Sequence, residues 1–408
     1  MSVLRDKTIV LGVSGGIAAY KAAEIVRALV QRGAIVRVMM TRNAQAFITP
    51  LTLQTLAQNS VATDTFSLTQ ESEIGHIRLA DSADAVLIAP ATANVIAKAA
   101  AGIADDIVTT VLLKTQAPVA FSPAMNVHMY AHPSVLENLA KLRSRGATII
   151  EPAEGDLACG YEGKGRLPDA GIIVAELERI VSPSDLAGER VLVTAGPTQE
   201  AIDPVRFVSN RSSGKMGFAI AAAARRRGAE VRLVAGPSAM ATPYGVERID
   251  TISAAELLAA TTSHFSWATA LVMAAAVADF RPASPAGGKL KKNPKGLELR
   301  MTSIADELPR IAAKKGSRLM IGFAAETADL AANAKDKLAR KRLDLIVAND
   351  VTQEGAGFGL DTNIVTLFGA DGSAQSLPKL SKDEVADRIL DSLNALRAAK
   401  SRRLRVVH

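Results

Sequence analysis

The stretch TIVLGVSGGIAAYKAAEIVRALVQRGAIVRVMM, residues 8–40, decides the fold of the first half of the chain. Residues 9–12 form a short apolar strand that runs into Val13-Ser14-Gly15-Gly16. Ala18, Ala22, Ile25, Val26 and Leu29 then recur at helical spacing. Gly33 stops that helix, and 35–40 make the next strand. The unit is β-α-β, with a turn of small residues at the C-terminal end of its first strand. Glycines there let backbone amides approach an anion at the helix N-terminus, and Ser14 adds a hydroxyl. The spacing is not GxGxxG, and Thr41 rather than an acidic residue ends the second strand, so the dinucleotide fingerprint is missing. A single phosphate, as on a mononucleotide, suits this turn better than a dinucleotide.

The same grammar continues outward. Runs at 85–89, 119–122 and 148–150 read as further strands. Each leads into a turn: Pro90-Ala91-Thr92-Ala93-Asn94, Pro123-Ala124-Met125-Asn126, and the glycine-rich stretch 151–168. Five strands with intervening helices predict a flavodoxin-like doubly wound parallel sheet, an α/β fold whose ligands gather at the C-terminal strand edges. Residues 181–188 read as a break in the pattern. Domains are therefore expected at 1–182 and 190–408, with 183–189 as a linker. Past it come a strand at 191–194, a turn Ala195-Gly196-Pro197-Thr198 and an alanine-rich helix at 216–226. Arg227-Gly228-Ala229-Glu230-Val231-Arg232 echoes Arg32-Gly33-Ala34-Ile35-Val36-Arg37, the same helix-stop-then-strand physics. Strands at 270–273, 319–323, 345–348 and 364–368 complete a second, Rossmann-like α/β domain.

Apolar residues are 48% of the 408 and aromatics only 4%, so alanine, valine, isoleucine and leucine must build most of the interior. That palette suits alternating strands and helices. One cysteine rules out an intramolecular disulfide and a thiolate zinc cluster, and points to a reducing compartment. No long apolar segment precedes the first strand and no uncharged run approaches a membrane span, so a cytoplasmic protein with no membrane partner is expected. Net charge is +7, with the positive excess in 289–295, 335–342 and 400–405. Aromatics do not interleave with these clusters, and no zinc-finger or RNP pattern appears. That argues against nucleic acid and for small polyphosphate or carboxylate ligands.

The lone Cys159 stands in EPAEGDLACGYEGKGRLP (151–168), where glycines and prolines predict an irregular loop. A lone cysteine is most often a small buried hydrophobe. A polar, glycine-rich loop suits a thiol carried over a site. His76, in Ile74-Gly75-His76-Ile77, reads from its neighbourhood as a structural histidine. Asn126 is either part of a tight turn or an uncharged donor for a carboxylate. Lys289-Leu290-Lys291-Lys292 by itself reads as a solvated basic loop.

The ordered combination goes further. GVSGGIAAYK (12–21), FITPLTLQTL (47–56), GHIRL (75–79), APATANVIAKAAAGIADD (89–106), PAMN (123–126) and the ACG–GKGR loop (158–166) make the first half resemble the flavin-dependent cysteine decarboxylases. TAGPTQEAIDPVRFVSNRSSGKMG (194–217), AAAVADF (274–280), GFAAET (322–327) and DLIVANDV (344–351) make the second half similar to the phosphopantothenate–cysteine ligases. Together, from about residue 7 to 395, the chain resembles the bifunctional bacterial proteins of coenzyme A biosynthesis.

The resemblance implies FMN in the first domain. FMN oxidises the substrate thiol to a thioaldehyde that accepts the electrons left as CO₂ departs, and a returned hydride reduces the resulting ene-thiol. His76 matches the active-site histidine, Asn126 the asparagine that holds the substrate carboxylate, and Cys159 the loop cysteine that supplies a proton in the final reduction. Ser14, Gly15, Thr41, Thr92 and Asn94 would line the FMN site. In the second domain the resemblance implies that L-cysteine is joined to 4′-phosphopantothenate at the expense of CTP, through an acyl-cytidylate, with Mg²⁺ and positive side chains stabilising the charge. Lys289 matches the lysine that forms the acyl-cytidylate, and GGKLKKNPKG (287–296) looks like a flap over the triphosphate. Asn210 matches the asparagine that handles the intermediate. Met273, Ala274, Ala275, Asp279, Lys289, Ala305, Asp306, Glu307, Leu308, Phe323, Lys337 and Lys341 match nucleotide-contacting positions. Ala305-Asp306 stands where the family often has Pro-Asp, which leaves the contacts of that loop open. The ligands of the metal stay unassigned, and the family implies homo-oligomers, trimers of dimers or a dodecamer.

Two other readings set the contrast. A peptidyl-cysteine decarboxylase would use the first half alone, and a substrate comparison separates it. A non-catalytic nucleotide- or nucleic-acid-binding regulator would show salt-sensitive polymer binding and no turnover of CTP.

Overall fold

The computed structural model describes residues 2–65, 75–156, 161–292, 296–305, 308–326, 329–350, 353, 355, 357 and 359–406. The chain divides into two compact units between Pro183 and Ser184.

In the first unit, β1 (Thr8–Val13), β2 (Ile35–Met40), β3 (Val61–Ala62), β4 (Ala85–Ala91), β5 (Val119–Pro123) and β6 (Thr148–Ile149) form one sheet in the order β3-β2-β1-β4-β5-β6. Every pair in it is parallel. The five expected strands are all present. Without the two-residue edge strand β3 their order is the 2-1-3-4-5 of flavodoxin-like sheets, and with it the order is the doubly wound 3-2-1-4-5-6. A parallel sheet covered on both faces needs strands apolar on both faces, and β4 is buried along its whole length. Helices 22–31 and 170–181 pack Ile25, Leu29, Ile173 and Leu177 on one face beside Leu11 and Leu87. Helices 93–101, 107–114 and 133–144 pack Ile96, Val108 and Leu139 on the other, beside Val10, Ile88 and Phe121.

Two local readings change. The glycine turn after β1 leads not directly into an α-helix but into a 3-10 turn at Ile17–Lys21, and the α-helix begins at Ala22. The stretch around Cys159, expected as an irregular loop, is flanked by an antiparallel hairpin of β7 (Ala153–Asp156) and β8 (Glu162–Arg166). Alternation is invisible there because glycines occupy the positions that would mark a buried face. Cys159 itself lies outside the described residues.

In the second unit, β9 (Arg190–Ala195) is followed by a hairpin of β10 (Gln199–Ala201) and β11 (Phe207–Ser209), then by β12 (Glu230–Ala235), β13 (Glu247–Asp250) and β14 (Ala270–Met273). A second small ribbon pairs β15 (Phe280–Pro282) with β16 (Met301–Ser303), after which β17 (Leu319–Glu326) and β18 (Leu345–Asp350) return to the main sheet. β19 (Thr362–Asn363) precedes β20 (Val365–Gly369) and β21 (Ala374–Ser376). The main sheet runs β13-β12-β9-β14-β17-β18-β20-β21, parallel up to β18 and antiparallel beyond it. This is the expected Rossmann-like sheet with two extra edge strands. Helix 215–226 and the C-terminal helix bury Phe218, Ile220, Ile389 and Leu390 on one face. Leu257, Phe265, Ile311 and Ala334 cover the other.

The segment read as a linker at 183–189 belongs to this second unit from Ser184 onward. Leu186 is fully buried in its core, and its N–H donates to the Arg227 carbonyl at 3.0 Å. The Arg227 guanidinium, itself buried, pairs with Asp185 and holds that carboxyl below the ordinary aspartate range.

Candidate functional sites

In the first unit the C-terminal ends of β1, β2 and β4 meet at the point where the strand order reverses, the crevice in which doubly wound folds bind ligands. Ser14, buried, closes that point from within. Its Oγ donates to the Pro90 carbonyl at 2.7 Å and accepts from the Thr92 N–H at 2.9 Å. The single hydroxyl proton is therefore committed to Pro90. Through these two bonds Ser14 orders the loop beside the turn. Gly15 lies so close to the next loop that a Cβ would stand 2.5 Å from the Asn43 Cβ. Thr41 is likewise engaged, its N–H donating to Val13 at 3.0 Å and its Oγ1 capping Ala44 at 3.3 Å. Thr92 caps helix 93–101, whose first turn presents the exposed Asn94. Gly15, Gly16, Thr92 and the head of that nine-residue helix thus share one edge, where backbone amides and the helix dipole favour a phosphate.

The Asn126 segment follows β5. Asn126 caps the one-turn helix Val127–Tyr130, its Oδ1 accepting from His128 N–H at 2.9 Å. The chain beside it is fixed from two sides. Ala124 N–H donates to Ala91 at 3.1 Å, and Met125 N–H donates to Gly165 of β8 at 3.0 Å. A Cβ at Gly165 would stand 2.3 Å from the Met125 carbonyl oxygen, so only glycine lets hairpin and turn meet this closely. His76 heads helix 75–82. That helix runs back to Asp84, whose carboxylate accepts from Thr8 N–H at the start of β1. Its first residues therefore point toward the strand ends that carry the site. The His76 Nδ1 is buried without a hydrogen-bond partner among the described residues, an unusual cost for a polar atom unless a ligand meets it. These features fit a flavin with its phosphate at the Gly15–Thr92 edge.

In the second unit one cleft of about 510 Å³ gathers most of the residues expected to hold a nucleotide. Asn210, Met273, Ala274, Ala275, Asp279, Ala305, Phe323, Lys337 and Lys341 all line it. The 274–278 loop that forms one wall is tied down by hydroxyls: Thr194 Oγ1 accepts from Ala275 N–H at 3.2 Å, and Thr198 Oγ1 from Ala278 N–H at 3.0 Å. Lys337 Nζ donates to the Phe323 carbonyl at 2.8 Å, and Lys341 is mostly buried. Asp306 and Glu307 lie outside the described residues, and Leu308 opens helix 308–313. Lys289 is not among the lining residues. It is exposed on the segment after β15, next to Leu290, which is anchored to the 202–206 turn by Asp203 and Arg206.

The cleft also contains residues the motifs did not single out. Ser212, Ser213 and Lys215 stand at the head of helix 215–226, with Lys382 near them. Burial and the neighbouring Lys215 charge lower the Lys382 pKa, and Lys215 holds the Asp361 carboxyl down. The signal for these positions was the serine-glycine-lysine run inside the 194–217 motif. Lys382, far along the chain, carried none. Among the described residues no group of three or more His, Cys, Asp or Glu side chains is placed to hold a metal ion. No helix among them is long and apolar enough to cross a membrane.

Comparison with known proteins follows the same division. The Flavoprotein family matches residues 2–182, and the family of the DNA/pantothenate metabolism flavoprotein C-terminal domain matches 186–396. The coenzyme A biosynthesis bifunctional protein CoaBC of Bacillus subtilis is 49% identical over 97% of this chain and 98% of its own. That of Vibrio cholerae is 47% identical over 96% and 98%, and that of Escherichia coli strain K12 is 47% identical over 98% and 100%. Identity at that level over nearly the whole chain, with both family matches in the same order, leads to one conclusion: the chain belongs to the family of the coenzyme A biosynthesis bifunctional proteins.

Proposed function

We propose that the second unit joins L-cysteine to 4′-phosphopantothenate using CTP, and that the first unit decarboxylates the product to 4′-phosphopantetheine using bound FMN. The observation that carries the ligase assignment is the meeting of Asn210, Asp279, Phe323, Lys337 and Lys341 in one cleft from five separate stretches of sequence. A carboxylate does not couple to an amine until its oxygen is made a leaving group. The phosphopantothenate carboxylate attacks the α-phosphorus of CTP and pyrophosphate leaves. The cysteine amine then attacks the acyl carbon, loses a proton and expels CMP. Lys289, brought over the cleft from its anchored segment, stabilises the charge on the transferring phosphoryl group, and Asn210 orients the acyl-cytidylate. Mg²⁺ enters with the triphosphate, since this ion is usually held through substrate phosphates and few protein ligands.

FMN, when bound, supplies the oxidation of the substrate thiol that makes loss of CO₂ possible, and the return of the electrons afterward. The residues do the rest. Gly15 and the amides at the head of helix 93–101 hold the phosphate, Asn126 meets the substrate carboxylate without adding a competing charge, His76 takes up a proton, and Cys159 returns one. The protein works in the cytoplasm as a homo-oligomer. Lys289→Gln separates the two halves. We expect it to stop pyrophosphate release while leaving decarboxylation of supplied phosphopantothenoylcysteine intact. Loss of both activities in a folded, yellow protein contradicts this division of labour.

A further inference from the structure

Glu151 follows β6 and opens the 151–168 stretch, and no motif gives it a role in the reaction. Its carboxylate collects three donors from three different elements. Tyr130 Oη, on the last residue of the turn that Asn126 begins, donates to Oε2 at 2.8 Å. Lys164 Nζ, on β8, pairs with Oε2 at 2.6 Å. Arg143, on helix 133–144, pairs with Oε1. The neighbour of Lys164 is Gly165, whose carbonyl receives the Met125 N–H. Lys164 also lies over the Tyr130 ring, 5.6 Å from its centre. A further contact joins the same turn to the residue just before β8, with His128 and Tyr161 meeting edge to face at 5.2 Å.

We propose that Glu151 is a positioning residue for the decarboxylase reaction, fixing the 125–130 turn against β8 so that Asn126 is aimed at the substrate carboxylate. The proposal rests on the reading of Asn126 given above. Three features favour a positional role over a general contribution to stability. The ion pairs are half-exposed, and such pairs add little net stability. The contacts converge instead on both sides of Asn126, reaching Tyr130 at the end of its turn directly and Met125 through Gly165, the neighbour of Lys164. The network is also strongly polarised. Although burial opposes it, Lys164, Tyr130 and Arg143 hold the Glu151 carboxyl below its ordinary range, and burial with the Glu151 bond pushes Tyr130 up to about 12. At neutral pH, Tyr130 is therefore a fixed donor and Glu151 a fixed acceptor. Neither matches a residue the motifs assign to the reaction; Tyr130 ends the turn that Asn126 begins, and Glu151 follows β6, the strand paired with β5.

The test uses the full-length, flavin-loaded protein and two inhibitors that cannot turn over. Phosphopantothenoylserine keeps the carboxylate but replaces the thiol by a hydroxyl, and phosphopantothenoylethanolamine lacks the carboxylate as well. Glu151→Gln is expected to raise the inhibition constant of the serine compound tenfold or more and to leave that of the ethanolamine compound within twofold, with the flavin absorbance unchanged. A merely structural residue would weaken both equally, and that result, or no change in either, overturns the proposal. Asn126→Ala is the reference. If it fails to discriminate between the two compounds, the reading of Asn126 falls. If it discriminates and Glu151→Gln does not, only the role of Glu151 falls. Should Glu151→Gln lose its flavin, Tyr130→Phe, which removes one hydroxyl, must show the same discrimination at about threefold, and its absence is equally decisive.

Discussion

The amide of Asn210 donates to two carbonyls at once, those of Ala276 at 3.0 Å and Val277 at 3.3 Å. This links the 194–217 motif directly to the 274–280 motif, although 66 residues separate Asn210 from Ala276. A side chain that spends both amide protons on one loop sets the curvature of that loop and leaves its Oδ1 for a ligand. Asn210→Ala removes both bonds, each worth about 1 kcal/mol. A loss of about 10- to 100-fold in ligase turnover is expected. Asn210→Asp should be worse, because a carboxylate would face two carbonyls and a triphosphate. Stopped assays of CMP formation measure both variants, and decarboxylase activity should be unaffected.

Ser14 predicts a different kind of failure. Its hydroxyl joins Pro90 and Thr92 at the end of β4, with no exposure of its own. Ser14→Ala leaves a buried acceptor and an N–H without their partner, at a cost of about 1–3 kcal/mol. For a unit of this size, that lowers the melting temperature by about 2–10 °C. The absorbance of the purified protein near 450 nm relative to 280 nm should fall with it, since the displaced loop carries Gly15.

The acid response of the second unit should centre on Asp203. Arg206, against the opposing effect of burial, holds its carboxyl far below the ordinary value of 3.8, with help from the N–H groups of Val205, Leu290 and Arg206. A carboxylate whose pKa is depressed on folding contributes stability that is present above the unfolded value and disappears as the pH falls toward the folded one. The difference in melting temperature between wild type and Asp203→Asn should be full at pH 7 and shrink below about pH 4. Because Leu290 is anchored by the same carboxylate, the variant should also raise the KM for CTP at neutral pH. A constant difference across the pH range would show that Asp203 acts through shape alone.

Much of this was legible in the sequence where period and punctuation agree. The apolar runs, Gly33 and the small-residue turn define β1 and β2 to within a residue or two, because a buried parallel strand cannot be anything but apolar. The cleft of the second unit is lined from motifs that stood out in the sequence, and the fold explains why they lie so far apart: they occupy the ends of neighbouring strands β9, β14 and β17. The two-residue β3 was hidden because a pair of residues has no period. The β7–β8 hairpin was hidden because its glycines mark close backbone approach, as at Gly165, and carry no side chain to alternate. Glu151 gives no signal at all. Its meaning lies in three partners, Tyr130, Arg143 and Lys164, that only the tertiary structure brings to one carboxylate.

The most direct measurement incubates the protein with CTP, Mg²⁺, L-cysteine and 4′-phosphopantothenate while CMP and CO₂ are followed together. Both are expected to appear, with CO₂ lagging behind CMP and approaching it mole for mole. Chelating Mg²⁺ should stop both, and adding phosphopantothenoylcysteine should then restore CO₂ alone. CO₂ released from cysteine and phosphopantothenate without CTP, or CMP formed with no CO₂ from a protein that carries its flavin, would contradict it.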